Sequence, residues 1–105
     1  MDDAELIAAF HLMWDNFPGL ARLVNMRHVV LAANPLAQEK GFAPGTICAK
    51  VGSKEIHRGC KLATAFKTGQ TVTDAVLGDR IRGWQPIAGR SDVLVHFALM
   101  LPDKS

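Results

Sequence analysis

Leu20-Ala-Arg-Leu-Val-Asn-Met-Arg-His-Val-Val-Leu-Ala-Ala-Asn-Pro-Leu-Ala37 is the stretch whose reading decides the fold. Ala21–Asn25 and His28–Ala33 read as two short strands joined at Met26 and Arg27. Leu23, Val24, Val29, Val30 and Leu31 supply side chains that pack on a pleated surface, and the linker has hairpin length. Asn34 then stands where a side-chain oxygen caps exposed amides, and Pro35 suits the first helical position, where its missing N–H costs nothing. The short helix Leu36–Lys40 closes at Gly41, a residue that tolerates a left-handed cap. Two strands and a helix start in so short a span place the chain in the α+β class.

Toward the N-terminus, Asp2 and Glu5 form a capping-box pattern. Leu6, Ile7, Phe10, Met13, Trp14 and Phe17 recur at helical spacing until Pro18 and Gly19 break the run. This stripe has two readings: it packs on the sheet of its own chain, or part of it, Phe10, Met13 and Trp14, packs on a second copy. Toward the C-terminus, Gly41–Gly59 reads as loop with brief helical turns at Ile47–Lys50 and Lys54–His57. Cys60–Thr68 reads as a helix with Leu62 and Phe66 on one face and Gly69 at its end. Val72–Leu77 and Arg80–Ile87 follow as antiparallel neighbours across a turn at Gly78 and Asp79.

Val93–Leu101 gives the clearest period of two. Val93, Val95, Phe97, Leu99 and Leu101 share one face, expected to line the core. Leu94, His96, Ala98 and Met100 share the other, expected to lie under the N-terminal helix or a partner.

The 105 residues fit one domain, and a hydrophobic content of 49% supports a globular one. A net charge of +2, from 12 basic and 10 acidic residues scattered along the chain, is a solubility balance and excludes a nucleic-acid footprint. No apolar run approaches the roughly 18 residues that span a membrane, and the acidic start Met1-Asp2-Asp3 lacks the positive end of a secretion signal. A cytoplasmic location is the expectation. Cys48 and Cys60 are too few for a disulfide framework and are expected as thiols in a reducing compartment.

The order of elements resembles a PAS domain: two strands leading into an Ala33-Asn-Pro-Leu-Ala37 helix start, a Pro44–Gly45 turn, and a helix ending at Gly69. A strand, a second strand carrying Gln85-Pro86-Ile87 and a long final strand follow. The resemblance covers Phe17 to Pro102. It implies a five-stranded antiparallel sheet with helices on one face and an N-terminal amphipathic helix. Residues 1–19 would cap the sheet or dimerise, 20–102 would form the core domain, and 103–105 a tail. It further implies a sensory, signal-transduction module that binds a small ligand in an internal apolar cavity. The change would pass to a partner chain or to an effector domain such as a kinase or cyclase, and a homodimer is implied. Leu31, Ile47, Leu62, Phe66, Ile81, Val95 and Phe97 are the expected lining. Gln85, if it points inward, needs a ligand, a backbone group or water as partner. The lack of an output segment after Pro102 favours a piece of a longer signalling chain.

Several further residues carry groups capable of chemistry. Cys48 and Cys60 resemble a cysteine-bearing PAS subgroup, and with His57 they make three metal ligands that still need a fourth; buried inert thiols or a redox-sensing pair are the other readings. No Cys-x-x-Cys-His run exists for covalent haem, which leaves His57 as a non-covalent ligand. The Asn-Cys-Arg-Phe-Leu run of flavin photosensors and all tyrosines are missing. No cofactor is named by the sequence. His96, on a mostly apolar strand face, reads as a hydrogen-bonded, partly buried histidine, and Arg80 and Arg82 as solvated charges. No nucleophile–base pair or phosphate loop is recognisable, so no enzyme is expected. A ligand-free dimerisation or docking module, a thiol switch and a small α+β enzyme are the alternatives.

Overall fold

The structure, a computed structural model, describes residues 2–51, 59–76 and 79–100. Helix α1 (Asp3–Trp14) starts on the expected capping box: Asp2 Oδ1 accepts from the Glu5 amide at 2.8 Å and Glu5 Oε1 from the Asp2 amide at 3.4 Å. The chain then runs through β1 (Leu20–Asn25), β2 (Val30–Ala33), α2 (Pro35–Glu39), a 3₁₀ turn (Cys48–Lys50) and α3 (Leu62–Thr68). It ends in β3 (Val72–Val76), β4 (Arg80–Ile87) and β5 (Arg90–Met100). The strands form one antiparallel sheet in the order β2-β1-β5-β4-β3. The α+β five-stranded architecture is therefore as the sequence implied.

The sheet is covered on both faces. Leu6 and Phe10 of α1 bury themselves against Ala21, Leu23, Ala32, Val93 and Val95, with Trp14, Phe17, Leu31 and Phe97 at the margin. On the opposite face Val24, Val30, Trp84 and Leu94 meet Ala37 of α2, Phe42, Cys48, and Leu62 and Ala65 of α3. This overturns the assignment of the β5 faces. Val93, Val95 and Phe97 lie under α1, while Leu94, His96 and Ala98 face α2, the 3₁₀ turn and α3. The physical reason is polarity: a helix stripe without polar groups packs dry against the uniformly apolar face, leaving the face that carries a histidine for the layer where polar groups gather.

Asn34 joins the layers. Its Oδ1 accepts from the Ala37 amide at 3.0 Å, the expected helix cap, and from the Ala21 amide at 3.1 Å. Its Nδ2 donates to the Trp14 carbonyl at 3.2 Å and the Gly19 carbonyl at 2.9 Å. The loop after α2 is pinned rather than loose at its start. Val30 donates to Thr46, Gly45 to Val30 and Cys48 to the His28 carbonyl, the last at 2.7 Å, with a β-bridge between Val29 and Ile47. The turn at Lys54–His57 lies outside the described residues.

Candidate functional site

Between the sheet and the 3₁₀ turn and α3 lies a hollow of about 70 Å³, walled by His28, Cys48, Ala49, Cys60, Leu62, Arg82 and His96. Sheet register gathers polar groups on the face that borders it. Arg22 on β1 pairs with His96 on β5, His96 with Trp84 on β4, and Ala98 with Arg82, so alternate residues of three adjacent strands place two guanidiniums and an imidazole on one face. The hairpin supplies His28, the one non-glycine residue with positive φ among those described, at 64°. Asn25 holds that turn, its Oδ1 accepting from the Arg27 and Val29 amides.

The charged groups differ in how they are matched. Arg82 is buried and paired: its Nε donates to Asp74 Oδ1 at 3.0 Å and its Nη2 to Asp74 Oδ2 at 2.7 Å, across the β3–β4 register. Its Cζ lies 5.1 Å from the Trp84 ring centroid. His96 Nδ1 lies 2.8 Å from the Gly83 carbonyl oxygen, which can only accept, so Nδ1 carries the proton. The His96 ring stacks on Trp84 with centroids 4.7 Å apart and planes at 8°.

Arg22 is different. It is 3% exposed, its Nε donates to the His96 carbonyl at 3.4 Å, and its Cζ lies 4.2 Å above the Phe42 ring. No carboxylate among the described residues pairs with it, and its Nη2 is buried without a hydrogen-bond partner. Burial pushes its pKa down, partly opposed by Cys48 and Cys60, while the Arg82 charge pushes it further down.

The expected lining residues do not share one cavity. Leu62 and Phe66 belong to the layer of the hollow, and Ile47 stands on the bridge beside it. Leu31, Val95 and Phe97 instead pack in the α1 layer, because strand alternation turns them away. Ile81 and Gln85 share the strand face of Gly83, which Phe97 covers, and Gln85 is exposed. The expected dimer residues also divide: Phe10 is 2% exposed inside its own chain and Trp14 stacks on Phe97 at 5.8 Å, whereas Met13 is 70% exposed. Arg82, read as a solvated charge, is buried, because Asp74 stands opposite on the neighbouring strand and Trp84 on its own. Arg22 was missed altogether. Its signal was available: an arginine in the middle of an otherwise apolar strand run, Leu20-Ala-Arg-Leu-Val.

Cys48, buried, and Cys60, exposed, both border the hollow. Burial raises the Cys48 pKa, the Arg22 charge lowers it and Cys60 raises it. Cys48 is therefore a thiol at neutral pH. No group of three or more His, Cys, Asp or Glu converges as a metal site among the described residues, and His57 lies outside them. No helix of the described residues is long and apolar enough to cross a membrane.

A sheet of this order with helices over a small hollow is a PAS-like fold, and the comparison with solved structures agrees. A sensory box sensor histidine kinase from Vibrio cholerae superposes with a TM-score of 0.68, covering 94% of this chain and 92% of that one at 11% sequence identity. No family model matches the chain, and no curated protein matches it. At that identity the likeness is one of fold.

Proposed function

We propose that the chain is a sensory module, not an enzyme, that takes a small ligand in the hollow walled by Cys48, Leu62, Arg82 and His96 and relays the change to a partner chain or to an effector domain such as a kinase or cyclase. The observation that carries this reading is the gathering of two buried guanidiniums, Arg22 and Arg82, and the His96 imidazole on the sheet face that borders the hollow. A domain that only docks gains nothing from such a cluster: Arg22 is desolvated with no carboxylate partner among the described residues, and an uncompensated buried charge costs about 3–5 kcal/mol by the loss when a buried pair is broken. The likeness to a sensory box kinase supports the same reading. Native mass spectrometry of the purified chain tests it: a retained small-molecule mass or a saturable mass shift on ligand addition is expected, and a bare polypeptide unaffected by any of a broad metabolite panel overturns it.

A second reading, docking through α1, is favoured by Leu12 and Met13, which are 88% and 70% exposed on one side of that helix. The same spectrum gives the oligomeric state.

A further inference from the structure

We infer that Cys60 is a site of oxidation by hydroperoxides and that Cys48 resolves the product into a Cys48–Cys60 disulfide; the inference does not require a ligand in the hollow. Three observations converge. Both cysteines wall the same hollow of about 70 Å³, so the two thiol-bearing segments border one shared space. Their accessibility is opposite: Cys60 is exposed and Cys48 is buried, so an oxidant arriving from solvent meets Cys60 first. Each wall is also held to the strand framework. The Cys48 amide donates to the His28 carbonyl at 2.7 Å, and Arg82 Nη2 donates at 3.5 Å to the carbonyl of Gly59, the residue before Cys60.

The chemistry balances with a hydroperoxide as oxidant. The Cys60 sulfur, having released its proton, attacks one peroxide oxygen. The O–O bond breaks, a Cys60 sulfenic acid forms, and the departing hydroxide or alkoxide takes up that proton. The Cys48 sulfur then attacks the Cys60 sulfur. An S–S bond forms, the S–O bond breaks, and the leaving hydroxide carries off the Cys48 proton as water. Two thiols have lost two electrons, and the peroxide has gained them. Burial holds the Cys48 proton, which makes this thiol a poor first target and leaves it for the second step. A disulfide needs Cα atoms about 4.4–6.8 Å apart, and the hollow supplies space for Cys60 to approach. Cys60 follows Gly59, whose φ is 69°, and precedes α3, so its approach breaks no helical hydrogen bond. The bridge ties the 3₁₀ turn to the entrance of α3.

The test treats the reduced full chain with hydrogen peroxide at pH 7 in dilute solution, read by intact mass, by peptide mapping without reductant and by a thermal melt. The expected product is a single polypeptide lighter by two hydrogens, with Cys48 joined to Cys60. Dithiothreitol should reverse it, and its melt should stay cooperative at a Tm no lower than that of the reduced chain. Cys48→Ala should leave a Cys60 sulfenic acid that dimedone traps, and Cys60→Ser should slow oxidation by about 10-fold or more. Peptide mapping of the native chain decides the outcome without either variant. A Cys60 sulfinic acid beside a free Cys48 thiol, a disulfide between two chains as the main product, or a bridge found only in chain that has lost its cooperative melt overturns the inference. Cys60→Ser oxidised as fast as the native chain does the same.

Discussion

Asn34 makes four side-chain hydrogen bonds at zero exposure, to the start of β1, to α2, to the end of α1 and to the linker between α1 and β1. Asn34→Ala leaves two amides and two carbonyls to find other partners, and a loss of about 3–4 kcal/mol in urea unfolding is expected. Only the α2 cap was legible in the sequence, because a cap is set by neighbours in the chain, whereas the Trp14 and Gly19 carbonyls arrive from another layer. The cysteines separate by burial. Alkylation at pH 8 followed by mass mapping should label exposed Cys60 first and leave Cys48, whose proton is held by burial. The sign for stability follows: with the folded pKa above the unfolded one, the Cys48 contribution is intact below about pH 8.5 and is lost as pH rises. Melts of Cys48→Ala should therefore show a flatter alkaline limb than the native chain.

At the scale of elements, β5 carries the packing. Phe97 lies over Gly83 on the neighbouring strand, where an added Cβ would collide with the ring, and it contacts Trp14 and Phe17. Phe97→Ala should cost about 3 kcal/mol and shift Trp fluorescence, since Trp14 loses its stacking partner. Gly83→Ala should destabilise by forcing the ring off the sheet, read out by the same two measurements. The alternation of β5 was plain from Val93 to Met100, but a period of two names two faces without saying which layer each meets. That choice depended on Arg22, Arg82 and His96 gathering across three strands, a coincidence of register that no single strand displays. The hairpin was legible with its ends displaced: β2 begins at Val30 rather than His28, because His28 takes a left-handed turn conformation.

For the molecule as a whole, two apolar layers enclose the sheet, and among the described residues the buried charge lies in one of them. Asp74→Asn should cost about 2–3 kcal/mol in unfolding, since it removes the negative charge from the two charge-assisted bonds that the buried Arg82 makes to Asp74. The outer side of α1 bears on assembly. Leu12→Glu combined with Met13→Glu should turn any dimer seen by light scattering into monomer without lowering Tm, because neither side chain is buried in its own chain.

The adjacency of His96 and Phe97 has a mechanical corollary. One peptide bond separates a ring beside the hollow from a ring wedged among the aromatic side chains beneath α1. A sideways step of the β5 backbone at that bond is felt on both sides of the sheet at once, so the shortest route from pocket to outer helix runs straight through the ribbon rather than around its rim.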